Sequence, residues 1–232
     1  VKVVKSILGK INKNLNDLDC GISKPMHKKS YKYMLKNDIP LTTANNPCSG
    51  KHLNMLAYGL IKNYDLDNYI NKEHIIQKDM LDIISKVSDI NEENIDIAVD
   101  GCGVSVFGLP IINMAKAYCN LVTSKKEEMK TVVKAMTKYP FYVAGTKRLD
   151  TILMQETNGK ILAKLGAESV YCIGVVNKKV GIALKIEDGS YRPLNALVPN
   201  ILFKYGYINK IEYENIQKRI DLNIKNHRGE IV

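Results

Sequence analysis

No apolar run in this sequence approaches the roughly 18–20 residues needed to cross a bilayer. The opening residues also lack the basic, apolar and small-residue segments of a secretion signal, so a soluble cytoplasmic protein is expected. Arginine is scarce: Arg148, Arg192, Arg219 and Arg228 are four of the 34 basic residues. The net charge of +10 would otherwise invite a nucleic-acid reading, but base and phosphate recognition leans on guanidinium forks. The lysines are scattered, with short clusters such as Lys125-Lys126 and Lys178-Lys179, and no nucleic-acid-binding motif is present. The charge reads as a solvated lysine-rich surface, with neither nucleic acid nor membrane as partner. Five cysteines at irregular spacing, with no CxxC, argue for reduced thiols rather than a disulfide framework. Cys119 and Cys172 sit among apolar neighbours and are expected in the core. HExxH, GxGxxG and the P-loop are absent. No serine has a lysine three residues on, the spacing at which a helical Ser–Lys pair faces one cleft.

What is present centres on Asn46-Pro47-Cys48-Ser49-Gly50-Lys51-His52, which places a thiol, a hydroxyl, an amine and an imidazole within five residues. A helix-like apolar run follows, and a polar loop feeding a helix points backbone N–H groups and side chains into a cleft. A second loop, Asp100-Gly101-Cys102-Gly103, ends the strand-like Ile95–Val99, with its cysteine 54 positions beyond Cys48. From spacing alone, Cys48 and Cys102 are either soft metal ligands or two unrelated loop cysteines. Ser49 reads as an N-cap for a helix from Lys51 to Asn63. Asp100 is either an acid orienting a substrate amine or an Asx-turn residue. Lys185 lies in an apolar strand, where it is costly if buried and unremarkable on the exposed alternate face. His74 reads as a helix-surface residue.

The rest of the chain reads as helices in blocks with strands paired as hairpins, which makes the fold α+β in a single domain over residues 1–232. Helices are expected over residues 1–19, 30–37, 72–87, 110–122, 127–138, 193–205 and 210–219, with a helical turn over 150–154. Ser169–Val176 and Val180–Ile186 form a predicted hairpin, and Leu222–Ile224 a final strand. Val1–Leu8 reads as the middle of an amphipathic helix, so sequence is expected upstream of it.

Taken with Val143-Ala144-Gly145-Thr146, Arg148, Asp150-Thr151, Gly166-Ala167-Glu168 and Gly181–Gly189, the two loops resemble the asparaginase II family, the rhizobial-type class 3 L-asparaginases. The motifs occur in the family's order and span most of the chain. The resemblance implies a serine β-lactamase-like or penicillin-binding-protein-like fold, an antiparallel sheet packed with helices. It implies hydrolysis of L-asparagine to L-aspartate and ammonia, and a possible homodimer. It also implies one zinc per chain on Cys48, Lys51 and Cys102, with water completing the set. Asp100 would stand beside that site, Lys185 would take a serine's proton, and Ser49 and His52 would lie on the substrate side. Family members carry the Ser-x-x-Lys nucleophile and a second serine motif near the N-terminus, so the resemblance implies that this chain is the C-terminal two-thirds or so of such a protein and weak or inactive alone. A non-catalytic zinc- or ligand-binding remnant of the same fold and a glutaminase-like amidohydrolase are the alternatives. Smaller departures are Ile75 where the family favours Pro, and Lys147 where it favours Gly. Residues 226–229 resemble the family's last strand, cut short.

Overall fold

The computed structural model describes residues 1–224 and 226–231. The chain packs as two compact units, Val1–Lys86 with Ile90–Leu109, and Val87–Asp89 with Pro110–Val232. Both mix helices with antiparallel strands, so the architecture is α+β. Among the described residues no helix is long and apolar enough to cross a membrane.

The first unit holds α1 (Lys2–Lys10), α2 (Lys28–Lys36), α3 (Ser49–Ile61), most of α4 (Ile75–Ser88) and an antiparallel ribbon of β1 (Asp96–Val99) and β2 (Ser105–Gly108). Its core gathers Leu8, Leu18, Leu53, Met55, Leu56, Tyr69, Ile76 and Val104, together with Cys20 and Cys102. The predicted helix over residues 1–19 is corrected here: α1 stops at Lys10. Asn12 takes a left-handed φ of 53°, which a continuing helix cannot accommodate. Asn14 and Asp17 then cap a short 3₁₀ turn over Leu15–Asp17, a local alternative for the backbone that competes with helix.

The second unit is built on a three-stranded antiparallel sheet, β3 (Ile161–Leu165), β4 (Val170–Val175) and β5 (Val180–Lys185), in the order β3-β4-β5. One face carries Ile161, Ala163, Tyr171, Ile173 and Val175 into a core shared with α8 (Leu149–Glu156), α9 (Arg192–Lys204) and α10 (Lys210–Arg219). Six consecutive residues of α8, Leu149 to Met154, are buried, so this helix runs through the core rather than over it. The other face is covered by α5 (Ile111–Thr123). Helices α6 (Glu127–Lys138) and α7 (Pro140–Ala144) complete the unit.

The approach of α5 rests on a cross-strand pair, Gly174 opposite Gly181. A Cβ on Gly181 would stand 1.9 Å from the Ala115 carbonyl oxygen, and one on Gly174 would stand 2.3 Å from Val122. Side chains there would lift the helix off the sheet. Lys185 shares the α5 face with Gly181 and Ala183 by strand alternation, and it is exposed.

Two strands were not announced by local pattern. Ile161-Leu162-Ala163-Lys164-Leu165 has a helix-forming composition, and it becomes β3 because β4 offers a full ladder from Ile161↔Val175 to Leu165↔Tyr171. Ser105–Gly108 becomes β2 because the tight turn at residues 100–104 returns it onto β1. The expected strand Leu222–Ile224 is not one; those residues have no regular structure. Residues 226–229 form a turn, closed by the Asn226 amide donating to the Glu230 carbonyl at 2.9 Å. Cys172 is buried as expected, whereas Cys119 is half-buried, with its thiol against the Lys179 carbonyl at 3.2 Å.

Gly181→Ala is expected to destabilise the protein by about 3 kcal/mol through overpacking against helix backbone. Gly9→Ala in α1, where a Cβ would meet nothing within 4 Å, should instead stabilise by up to about 1 kcal/mol. Urea unfolding midpoints of the two variants, compared with wild type, check both signs.

Candidate functional site

The start of α3 is set by Asn46. Its side-chain oxygen accepts the Cys48 amide at 2.8 Å, and its side-chain amide donates to the carbonyls of Cys20 at 2.7 Å and Gly21 at 3.2 Å. The helix therefore begins at Ser49, earlier than expected, with Cys48 at the cap position. Ser49 is not the N-cap. It is a buried helical residue, 7% exposed, whose hydroxyl donates to the Ala44 carbonyl at 3.5 Å. Cys48 and Lys51 then stand about one helical turn apart, on one side of α3.

The second segment is the tight turn between β1 and β2. The Asp100 amide donates to the Val104 carbonyl at 2.8 Å, and the Gly103 amide returns to the Asp100 carbonyl at 2.9 Å. Asp100 Oδ1 accepts the Gly101 amide at 2.7 Å, one residue on rather than the two of an Asx turn, and so braces the start of the turn. Gly103 has φ +90°, a conformation that L side chains rarely adopt. The turn lays Asp100 and Cys102 against α3.

Three ligand atoms, one each from Cys48, Asp100 and Cys102, lie within 4.8 Å of one another. The Lys51 ammonium donates to Asp100 Oδ2 at 2.7 Å, and the Cys102 thiol donates to the same oxygen at 3.5 Å. Asp100 thus does two jobs, one oxygen bracing the turn and the other pairing with Lys51. With the partners 37% and 30% exposed, the ion pair contributes modestly to stability.

Burial, reinforced by the hydrogen bond to Cys102, pushes the Cys48 thiol up to about 11. Burial opposes the Lys51 charge, but hydrogen bonds to Asp100 and Cys102 outweigh it and raise this amine above its ordinary value. The Lys51 hydrogen bond lowers Asp100. The group is thus built as a protonated Cys48 thiol and an ammonium around a carboxylate. Two thiols and an amine this close suit a soft, zinc-preferring ion, provided that they shed their protons on binding it.

The chain matches the family described as L-asparaginase II over residues 1–232. It belongs to that family. No curated protein sequence matches it.

Of the site residues expected in this asparaginase family member, the structure brings Cys48, Lys51, Asp100 and Cys102 together. Ser49 and His52 lie on the same helix but face the interior; His52 is fully buried. Lys185 belongs to the second unit, where its ammonium donates to the Ile186 carbonyl. His74 is half-buried at the start of α4, its Nδ1 accepting the Ile76 amide at 3.1 Å. A cavity of about 940 Å³ bounded by Val1, Tyr33, Met34 and Pro40 contains none of these side chains.

Sequence reasoning missed Tyr69. It is 1% exposed although it lies in a turn-rich loop, and its hydroxyl reaches both His52 and the segment preceding Cys20. A large aromatic residue inside a polar loop was the available signal.

Burial, aided by the neighbouring Lys51 charge, lowers His52 to about 4 from 6.5. In the unfolded chain this imidazole takes up a proton near pH 6.5, while in the folded chain it stays neutral down to about pH 4. Stability is therefore fully present above pH 6.5 and falls by roughly 3 kcal/mol as pH drops to about 4. Urea unfolding of metal-free protein across this window should show the loss, and His52→Gln should flatten it. The lowered Asp100 titrates below this window, so the two contributions separate.

Proposed function

We propose that this chain carries the zinc centre and the strand lysine of an L-asparaginase, which hydrolyses the side-chain amide of L-asparagine to L-aspartate and ammonia. The observation that carries the reading is the convergence of Cys48, Lys51 and Cys102 around Asp100, from loops far apart in sequence, in a member of the L-asparaginase II family. Cys48, Lys51 and Cys102 would hold one zinc ion. That ion would supply fixed positive charge; two thiolates and an amine make it a weak Lewis acid for producing hydroxide.

The protein's own groups divide the remaining work. Asp100, braced by the Gly101 amide, holds Lys51 and presents an anionic group suited to a substrate amine. The turn at Asp100–Val104 keeps that carboxylate in place. Lys185, exposed at the end of β5, is the amine that would accept a nucleophile's proton. In the chemistry assigned here, a serine oxygen adds to the amide carbon, the C–N bond breaks with ammonia leaving, and water resolves the ester. None of the 232 residues forms a Ser-x-x-Lys pair, so this reading assigns the nucleophile to no serine of the chain and expects weak hydrolysis from it alone. The antiparallel β3-β4-β5 sheet with helices against both faces supports a serine β-lactamase-like second unit. The family resemblance also carries a homodimeric state to this chain, which light scattering reads directly.

Mass spectrometry of the purified chain should find about one zinc per protein, lost in both Cys48→Ala and Cys102→Ala. Metal-free wild type, or alanine variants that keep their zinc, would overturn the centre. Ammonia release from asparagine should exceed that from glutamine, and both should be slow. A rate within the ordinary enzymatic range would show that a serine within these residues is the nucleophile after all.

A further inference from the structure

Cys48 and Cys102 lie on separate loops. What holds them in register is a set of buried hydrogen bonds that meet at one hydroxyl. The Asp19 amide donates to the Tyr69 oxygen at 2.9 Å, and Tyr69 stands 2.6 Å from His52 Nδ1. If His52 donated from Nδ1, the Tyr69 proton and His52 Nε2 would both be left without partners. The arrangement with fewer losses has Tyr69 donate to Nδ1, which leaves the imidazole proton on Nε2. That nitrogen is buried with no hydrogen-bond partner among the described residues, so the bond to Tyr69 is the one the ring makes. The second loop is met by Asp19, whose carbonyl oxygen lies 3.8 Å from where a Cβ on Gly103 would stand. The Tyr69 hydroxyl therefore reaches the second loop through Asp19, and the first turn of α3 through His52.

It reaches the first loop through Asp19 as well. Asp19 precedes Cys20, whose carbonyl accepts from the Asn46 side-chain amide at 2.7 Å; the Asn46 oxygen in turn accepts the Cys48 amide at 2.8 Å. Gln77 of α4 anchors the tyrosine itself, donating to its carbonyl at 2.8 Å. Every link is inside the first unit.

We infer that Tyr69 is a positioning residue for the metal centre, whose hydroxyl ties the Cys48 and Cys102 loops together through Asp19 and holds the start of α3 through His52. This rests on the zinc reading above. Orienting partners behind metal ligands are worth about 10- to 100-fold in metal affinity. Tyr69→Phe removes the hydroxyl while keeping the ring in the core. Tyr58→Phe is the control, because it removes a hydroxyl bonded to Asp79 at 2.6 Å, outside this network.

Zinc affinity by chelator competition and the thiolate-to-cobalt absorption of the Co(II)-loaded chain are measured together with thermal midpoints. Tyr69→Phe should bind zinc about 10- to 100-fold more weakly and shift the cobalt band, while Tyr58→Phe keeps both near wild type. A lowered midpoint with wild-type affinity and spectrum would make Tyr69 merely structural and overturn the proposal. Wild-type protein that binds neither metal would overturn the zinc reading itself, a distinct result. If Tyr69→Phe does not fold, His52→Leu decides: it removes the acceptor through which Tyr69 holds α3. Affinity weakened to a similar degree supports the tie, and wild-type affinity overturns it.

Discussion

The first unit depends on a constraint of chain geometry: two short loops, far apart in sequence, must be held within a few ångströms against their own freedom. Asn46 and Tyr69 meet it with buried hydrogen bonds to backbone rather than with apolar contacts alone. A hydrogen bond to a fixed amide specifies direction, whereas apolar burial is non-directional. A cluster of thiols, amine and carboxylate needs that direction, because its members are useful only at defined separations. The apolar core below, from Leu53, Leu56 and Ile76, supplies the bulk of the stabilisation.

The cluster is also electrostatically self-consistent without an ion. One carboxylate satisfies an ammonium and a thiol while its other oxygen braces the turn that carries it. Burial raises the Cys48 thiol, so no uncompensated negative charge is stored in the loops. Metal binding would exchange those protons for the ion, which couples occupancy to pH.

In the second unit the governing constraint is distance between backbones. Gly174 and Gly181 face each other across β4 and β5, and the absence of two side chains lets α5 lie on the sheet. The opposite face is packed conventionally by branched residues against α8, α9 and α10. Lys185, the last residue of β5, is exposed. The glycines were visible as part of a motif, but their pairing was not, since register belongs to the sheet and not to either strand.

Much of the outline was legible locally. Glu127–Lys138 and Lys210–Arg219 begin and end where caps, proline and apolar spacing place them. The β4–β5 hairpin follows from two branched runs around Asn177-Lys178-Lys179. The reactive residue types, their order and their loop settings were also in the sequence, because composition and short-range spacing carry that information. Tertiary structure decided the rest. It made strands of Ser105–Gly108 and Ile161–Leu165 and turned Ser49 inward. It also brought Asp100 onto Lys51 and placed Tyr69 behind both loops. Each of these outcomes depends on a partner outside the local pattern, the neighbouring strand of a ladder or a side chain dozens of residues away, and such pairings leave no local trace.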